Sequence, residues 1–489
     1  MTTPHFILIP HAGKKFAGDC RRNVLQKFSS KQIKNIIYIT ALHNSFFLKR
    51  INKDKNFIIK DQCKLFVKPI NNFVKLNKVS SYIKEKLLEE HSYKWVKDEL
   101  KFLKAKHTVI TPGPKVNIND YSNFVELLKI KDLNNSSTLI IGTTDLIHYG
   151  PKFNLTNFKS PEQTEKLYQE SKFIDAINQL NINRVNELYD KRPYLCCGIN
   201  SIRILLRLVK SFDNTLKGQV YDYYDSVQSR FKDIRRYSND FNFGKSRAID
   251  YPRYFVSYVS IKFEKEKNKL TNIDKNLAQG CLRNIFIKSY NMRVPIKSYN
   301  MRVPIKVKYD DEKYYIPLWS NWYKIYNGIF VGISLDNNTK CSTGQFENDK
   351  NKKTSAENIY LSSKNCYNDS KERWKGKDIK KEDISKIKYK VELLDAKKDW
   401  KKVDLEILIK NEEDYWEKGY GFYLKITDKQ TTYDATYLPN VWEEALPDED
   451  IKGMLNQLAL KATNRKFGLE DKYETEIYIY QSKKFNKKF

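Results

Sequence analysis

The first 150 residues contain four short apolar runs, each followed by polar residues. The runs occupy residues 6–9, 36–39, 108–110 and 138–141 and are rich in isoleucine. Continuous runs of this kind are typical of strands that are buried on both faces of a largely parallel sheet. Between them, the apolar positions of residues 79–103 are spaced as in an amphipathic helix. The pattern predicts a three-layer α/β domain, in which helices cover both faces of a largely parallel or mixed sheet.

A change of pattern near residue 265 predicts the boundary between two domains. Residues 254–263 alternate like a last strand, residues 264–271 are mostly charged, and a new helical pattern begins at Asn276. We therefore predict a first domain at 1–265, a linker at 266–272 and a second domain at 273–489.

The second domain contains one perfect internal repeat. Residues 287–295 recur without change at 296–304. Two nonamers are too short and too few for a solenoid. We interpret them as a tandem duplication in a loop or in a lengthened helix–strand connection, with no function of its own.

The composition limits the class of protein. With 489 residues, of which 40% are hydrophobic, the chain can form buried cores and is not disordered throughout. No apolar run approaches the ~20 residues of a membrane helix, and the first residues lack the pattern of a signal peptide. We therefore expect a cytoplasmic protein with no membrane partner, in the host cytoplasm if the source is a virus. Seven cysteines are too few for a disulfide scaffold, which favours a reducing compartment.

The net charge of +30 has two interpretations. It can reflect a surface that binds nucleic acid or another polyanion. It can also reflect the codon bias of an AT-rich genome, because the basic residues are spread along the whole chain and asparagine and isoleucine are abundant as well. The sequence leaves both interpretations open.

The histidines are concentrated at one end of the chain. All six lie within the first 148 residues, and three of them, His11, His43 and His148, follow predicted strands. Because parallel strands bring their carboxyl ends to one edge of a sheet, these imidazoles are expected to converge. Imidazole is the commonest metal-ligating side chain and a frequent general acid or base. The pattern favours a functional cluster, although each histidine taken singly also fits an ordinary loop position.

Four segments carry a resemblance to a known family. They are P-H-A-G at 10–13, E-H-S at 90–92, T-D-L-I-H-Y-G at 144–150 and C-G at 197–198. In order and approximate spacing, they resemble the segments of the Memo family, over residues 5–263. The resemblance implies the fold of the class III extradiol dioxygenases, which use non-haem iron.

The resemblance also implies a metal site. His11 and Cys197 lie in these segments, and His43 falls on the first histidine of the family's G-P-S-H-H segment, which reads T-A-L-H-N at 40–44 in this chain. All three match the family's ligands, with iron or copper as the cofactor and zinc as a further option. Two neutral imidazoles and a thiolate can hold such an ion with an open position. Asp145 and His148 match a pair beside the metal and are the candidate catalytic residues. The carboxylate would orient the imidazole, which would act as a base or as a hydrogen-bond donor to a metal ligand. Asp145 also fits a plain cap at the end of a strand.

The surroundings of the predicted site depart from the family pattern. The resemblance places Lys14, His91 and Tyr149 in the pocket, although His91 also fits a plain surface position on a helix. In the family, two tyrosines and a serine follow P-H-A-G, whereas this chain has Lys14, Phe16 and Ala17 there. Three hydroxyl groups are thus replaced and a cation is added. The sequence therefore supports metal binding more directly than it supports any one reaction.

A second set of segments lies in the second half of the chain. It comprises G-I-F-V at 328–331, S-A-E-N-I at 355–359, G-Y-G-F-Y-L at 419–424 and A-T-Y-L-P-N-V-W at 435–442. These segments resemble the AMMECR-type domain, a smaller α+β domain of unknown biochemical activity. Its R-G-C-I-G signature is replaced by K-C-S-T-G at 340–344, so that Ser342 holds the position of the family's cysteine. Cys341 stands one residue before that position, and in a strand its side chain would therefore point to the opposite face of the sheet. Memo-like and AMMECR-type domains occur fused or encoded side by side, often near a radical SAM protein, which is therefore an expected partner.

Three functions of different classes fit these observations. The first is a metal-dependent oxidation or dioxygenase-like reaction on an unidentified small molecule, and whether the protein is an enzyme stays open. The second is a non-catalytic module for phosphorylated or other anionic peptides, with Lys14 at the rim of the pocket. The third is a nucleic-acid or polyanion binder, whose affinity would depend strongly on salt.

Overall fold

The computed structural model describes most of the chain, with gaps. The described residues are 3–41, 57–60, 91–111, 135–150, 162–226, 255–265, 270–271, 273–275, 277–282, 316, 319–335, 338–346, 353–373, 386–429, 431–439, 449–469 and 472–488. The chain divides into two compact units, Met1–Gly280 with Pro295–Asn321, and Cys281–Val294 with Trp322–Phe489. The repeated nonamer and residues 266–269 of the predicted linker lie outside the described residues, so the boundary at 265–273 stays a prediction.

A mixed sheet forms the centre of the first unit. Its strands are β1 (His5–Ile9), β2 (Asn35–Ile39), β3 (Phe57–Lys60), β4 (Lys106–Thr111), β5 (Thr138–Thr143), β6 (His148–Tyr149), β7 (Leu216–Asp225) and β8 (Phe255–Lys265). Their order is β3-β4-β2-β5-β1-β8-β6, and β7 also pairs with β8. Strands β4, β2, β5 and β1 are mutually parallel, whereas β3, β6, β7 and β8 join in antiparallel pairs. The four apolar runs of the sequence are thus the four parallel central strands.

Helices pack on both faces of this sheet. They are α1 (Lys14–Leu25), α2 (His91–Leu100), α3 (Glu162–Asn178), α4 (Ile182–Lys191) and α5 (Ile199–Phe212). Side chains of β1 alternate between two cores, because successive residues of a strand point to opposite faces. Phe6 and Leu8 pack in the core that includes α3, α4 and α5, whereas Ile7 and Ile9 pack in the core that includes α1 and α2. The predicted three-layer α/β fold is confirmed.

The second unit contains two four-stranded antiparallel sheets. The strands are β9 (Ile329–Leu335), β10 (Asn338–Gln345), β11 (Lys388–Leu394), β12 (Lys401–Val403), β13 (Gly421–Asp428), β14 (Thr431–Tyr437), β15 (Glu474–Tyr480) and β16 (Ser482–Lys488). One sheet has the order β10-β9-β11-β16 and the other β12-β15-β13-β14. The helices described here are α6 (Ser355–Arg373), α7 (Leu405–Lys410), α8 (Glu412–Glu417) and α9 (Ile451–Ala462). This arrangement confirms the smaller α+β domain.

A disulfide joins a strand and a helix of the second unit. Cys341 of β10 and Cys366 of α6 are both fully buried and form the bond, with their Cα atoms 5.6 Å apart. The cysteine count favoured reduced thiols. A count could not anticipate the pair, because it arises only when α6 packs on β10.

In the part of the chain that the structure describes, no helix is both long enough and apolar enough to cross a membrane.

Candidate metal centre

Three functional side chains meet at one edge of the mixed sheet. His11 follows β1, Asp145 follows β5, and Cys197 lies between a short 3-10 turn and the start of α5. Because β1 and β5 are parallel neighbours, with Ile9 opposite Thr143, the residues after them reach the same edge. This topology explains why residues 134 positions apart come into contact.

The contacts among the three side chains are short. The Nε2 of His11 lies 3.4 Å from the Sγ of Cys197 and 3.6 Å from the Oδ2 of Asp145. One nitrogen, one carboxylate oxygen and the sulfur all lie within 4.8 Å of one another. Two ligands bound to a tetrahedral zinc ion at the usual bond lengths lie roughly 3.5 Å apart. The donor set therefore fits a transition-metal ion in both its chemistry and its spacing.

Asp145 holds the loop that carries His11. Its Oδ1 accepts a hydrogen bond from the backbone N–H of His11 at 2.9 Å and from that of Ala12 at 3.3 Å. Its Oδ2 is left facing the imidazole of His11. The side chains of His11 and Asp145 are almost completely buried, with residue exposures of 1% and 4%. One carboxylate thus orients the loop and supplies a donor atom.

Cys197 is tied to the backbone of Asp145. Its N–H donates to the carbonyl oxygen of Asp145 at 3.2 Å, and its Sγ accepts from the N–H of Asp145 at 3.3 Å. Burial, which disfavours the charged thiolate, raises the pKa of the Cys197 thiol well above its usual range, and the negative charge of Asp145 adds to the effect. A bound cation would stabilise the thiolate at this position.

The glycine after Cys197 is required by a close backbone approach. A Cβ atom on Gly198 would lie 2.3 Å from the carbonyl oxygen of Thr143 and 2.9 Å from the side chain of Thr144. The N–H of Gly198 donates to the Oγ1 of Thr144 at 3.0 Å. The C-G pair of the sequence therefore has a physical basis, because only glycine lets Cys197 come this close to the end of β5.

His148 lies in β6, beyond the three-residue cluster. Its ring is half-buried, and its Nδ1 is 2.8 Å from the carbonyl oxygen of Leu146. The spacing of the two residues in the sequence predicted a pair between Asp145 and His148. In the structure, the described contacts of the Asp145 carboxylate are instead with His11 and Ala12. The buried Glu170 supports the same segment, since it accepts from the N–H of Ile147 at 3.2 Å and from the hydroxyl of Tyr223.

The remaining predicted residues have different surroundings. His43 lies outside the described residues. Lys14 is the exposed first residue of α1, and Tyr149 is buried, with its ring stacked on that of Phe255 at 5.1 Å. His91 is the first residue of α2, and its side chain is outside the described part.

Sequence reasoning missed two charged residues beside the cluster. The fully buried Arg21 of α1 forms an ion pair with the partly buried Glu99 of α2, and Arg21 also donates to the loop of His11. No local pattern distinguishes one arginine among 89 basic residues. What distinguishes Arg21 is visible only in the folded structure, where α1 packs against the loop of His11.

Comparison with known protein families agrees with this architecture. Residues 1–234 match the family model of the Memo-like protein, and residues 301–485 match that of AMMECR1. The chain is therefore a fusion of a Memo-like domain with a C-terminal AMMECR1 domain, as the sequence motifs predicted. No curated protein matches the chain.

Proposed function

We propose that the Memo-like domain binds one transition-metal ion through His11, Asp145 and Cys197, with His43 as a further ligand. One observation carries the proposal: donor atoms of the first three residues lie within 4.8 Å of one another in a largely buried cluster. A nitrogen, an oxygen and a sulfur donor suit iron or copper, and zinc as well. His43 is included because it matches a ligand position of the Memo segments.

The function supported best is a metal-dependent, dioxygenase-like oxidation of a small organic substrate, with dioxygen as the oxidant. A bound iron or copper ion would supply Lewis acidity and one-electron redox chemistry. The residues of the chain would hold and orient the ion, since Asp145 holds the His11 loop through two N–H groups and the Cys197 backbone bonds to Asp145. Burial of His11 and Asp145 limits the access of bulk water to the donors.

His148 is the candidate proton acceptor. A carbonyl oxygen can only accept a hydrogen bond, so the contact with Leu146 requires that Nδ1 of His148 carries the proton. Nε2 is then the ring atom that can take a proton from a substrate. His148 as a whole residue is half-buried in β6.

The test is the metal content of the full-length protein purified without oxygen. Mass spectrometry should find about one iron or copper ion per chain in the wild type. His11→Ala, His43→Ala and Cys197→Ala should each lose the ion while the circular dichroism spectrum stays that of the wild type.

Two variants serve as controls. Cys196→Ala removes the adjacent buried thiol, and His5→Ala removes a histidine whose Nε2 bonds to Gln32 instead. Both should keep the ion. A wild type that stays metal-free after reconstitution with iron, copper and zinc would refute the proposal.

A further inference from the structure

Arg21 is a fully buried arginine next to the candidate metal centre. Its exposure is 0%, and its guanidinium donates to both carbonyl oxygens that flank His11. Nη1 lies 3.2 Å from the carbonyl oxygen of Pro10 and 2.6 Å from that of Ala12. The other side of the guanidinium faces Glu99, with Nε 3.1 Å from Oε2 and Nη2 paired with Oε1.

The loop around His11 is therefore held from both sides of its backbone. Asp145 accepts from the N–H groups of His11 and Ala12, and Arg21 donates to the carbonyl groups of Pro10 and Ala12. Arg21 also interacts favourably with the charge of Asp145. Together the two side chains fix the peptide groups on each side of the His11 Cα atom, which sets the direction of the Cα–Cβ bond from which the imidazole extends.

Stability alone does not account for this arrangement. Replacing a buried ion pair by apolar side chains of similar volume is often neutral or stabilising, so the pair is weak evidence of a stabilising role. The planar fork of arginine can bond two carbonyl oxygens and a carboxylate at once, whereas lysine offers a single ammonium group. The geometry uses this property of arginine at the loop that carries the candidate ligand His11.

We propose that Arg21, held in place by Glu99, is a positioning residue that fixes His11 for metal binding. This inference rests on the proposed metal site and adds to it a residue that touches neither the metal donors nor a substrate. Partners that orient a ligand typically change metal affinity 10–100-fold when they are removed. Arg21 acts on the backbone of the ligand, and we expect an effect at the lower end of that range.

The test uses cobalt(II) as the probe with the full-length protein. In Arg21→Lys, cobalt affinity measured by chelator competition should fall about tenfold, and the visible absorption bands of the bound cobalt should shift because the ligand geometry changes. Glu99→Gln should act in the same direction, since it releases the guanidinium. The matched control is Val24→Ala, which removes buried volume three residues further along α1 and should leave both readouts unchanged.

A second measurement separates this inference from the metal proposal. Hydrogen exchange of the metal-free protein should show faster exchange of the His11 and Ala12 amides in Arg21→Lys than in Val24→Ala. If the wild type binds no cobalt, the metal proposal fails, and the exchange rates still decide whether Arg21 holds the loop. The positioning role would be overturned if the His11 and Ala12 amides of Arg21→Lys exchanged at the same rates as those of the wild type. It would also be overturned if Arg21→Lys kept the cobalt affinity and the cobalt spectrum of the wild type. If Arg21→Lys does not fold, the double variant Arg21→Met/Glu99→Met supplies the same comparison without a buried unpaired charge.

Discussion

The Nε2 of His11 lies 3.4 Å from the Sγ of Cys197, although the two residues are 186 positions apart in the chain. His11 reaches this point at the end of a central strand, and Cys197 reaches it at the start of the helix that packs on one face of the same sheet. The backbone of Asp145 bonds to Cys197 and its side chain bonds to the His11 loop, so that it joins the two.

Metal affinity should rise with pH because the thiol of Cys197 is protonated in the metal-free protein. Burial and the Asp145 carboxylate hold the pKa of this thiol well above its usual range. Binding to the thiolate must therefore release a proton, and affinity should increase about tenfold per pH unit between roughly pH 7 and 8.5. The measurement is zinc affinity by chelator competition at several pH values.

The raised pKa of the Cys197 thiol also makes the metal-free protein less stable as the pH rises, which is opposite in direction to the effect on metal affinity. Because the raised pKa keeps the buried Cys197 thiol protonated, this thiol contributes to the free energy of unfolding below the thiol pKa of the unfolded chain. The contribution is lost as the pH rises through the thiol pKa of the folded protein.

The pH dependence of metal affinity has two control variants. Cys197→Ser should abolish the steep pH dependence of affinity, whereas Cys196→Ala should keep it. A pH-independent affinity in the wild type would show that the thiol is not a ligand.

Gly198→Ala should destabilise the Memo-like domain and weaken metal binding. The added Cβ would lie 2.3 Å from the carbonyl oxygen of Thr143, so the backbone must move. Overpacking of this kind costs about 1–3 kcal/mol, and the shift would displace Cys197. Urea unfolding and zinc affinity report the two effects. Gly13→Ala is the matched control, because its Cβ would meet only the Phe16 ring at 4.0 Å, and it should behave as the wild type.

Arg21→Met should destabilise the domain far more than the double variant Arg21→Met/Glu99→Met. Removing one member of a buried ion pair typically costs about 3–5 kcal/mol because the other charge is left unpaired. The double variant leaves no such charge and should recover most of the loss. A double-mutant cycle by chemical denaturation measures the coupling, and additive effects of Arg21→Met and Glu99→Met would contradict it.

Reduction of the Cys341–Cys366 disulfide should lower the stability of the second unit. The two cysteines are 25 positions apart, and closing a loop of that length contributes about 3.5 kcal/mol in the chain-entropy model. The midpoint of thermal unfolding should therefore fall when a reductant is added. A variant with both cysteines changed to alanine should not respond to the reductant, and non-reducing mass spectrometry should find the pair bonded in the wild type.

The sequence by itself determined the central strands and the residues that follow them. Strand formation depends on local apolar runs, and the carboxyl ends of parallel strands meet at one edge, which brings the ends of β1 and β5 together. The strand pattern predicted that the imidazoles of His11, His43 and His148 converge at this edge, and the contact that the structure shows there joins His11 to Asp145. The motifs also identified both domains, which the family comparisons confirm. These features depend on neighbours in the chain or on general topology, and both are visible in a sequence.

Only the tertiary structure decided which groups make contact. Asp145 stands three residues before His148, yet its described contacts run to the His11 loop, because that loop leaves the adjacent strand. Arg21 has no distinguishing neighbours, and its role depends on α1 lying beside both the loop and Glu99. The disulfide likewise requires α6 to pack on β10. Such contacts depend on how distant elements pack, and side-chain packing leaves no periodic signal along the chain.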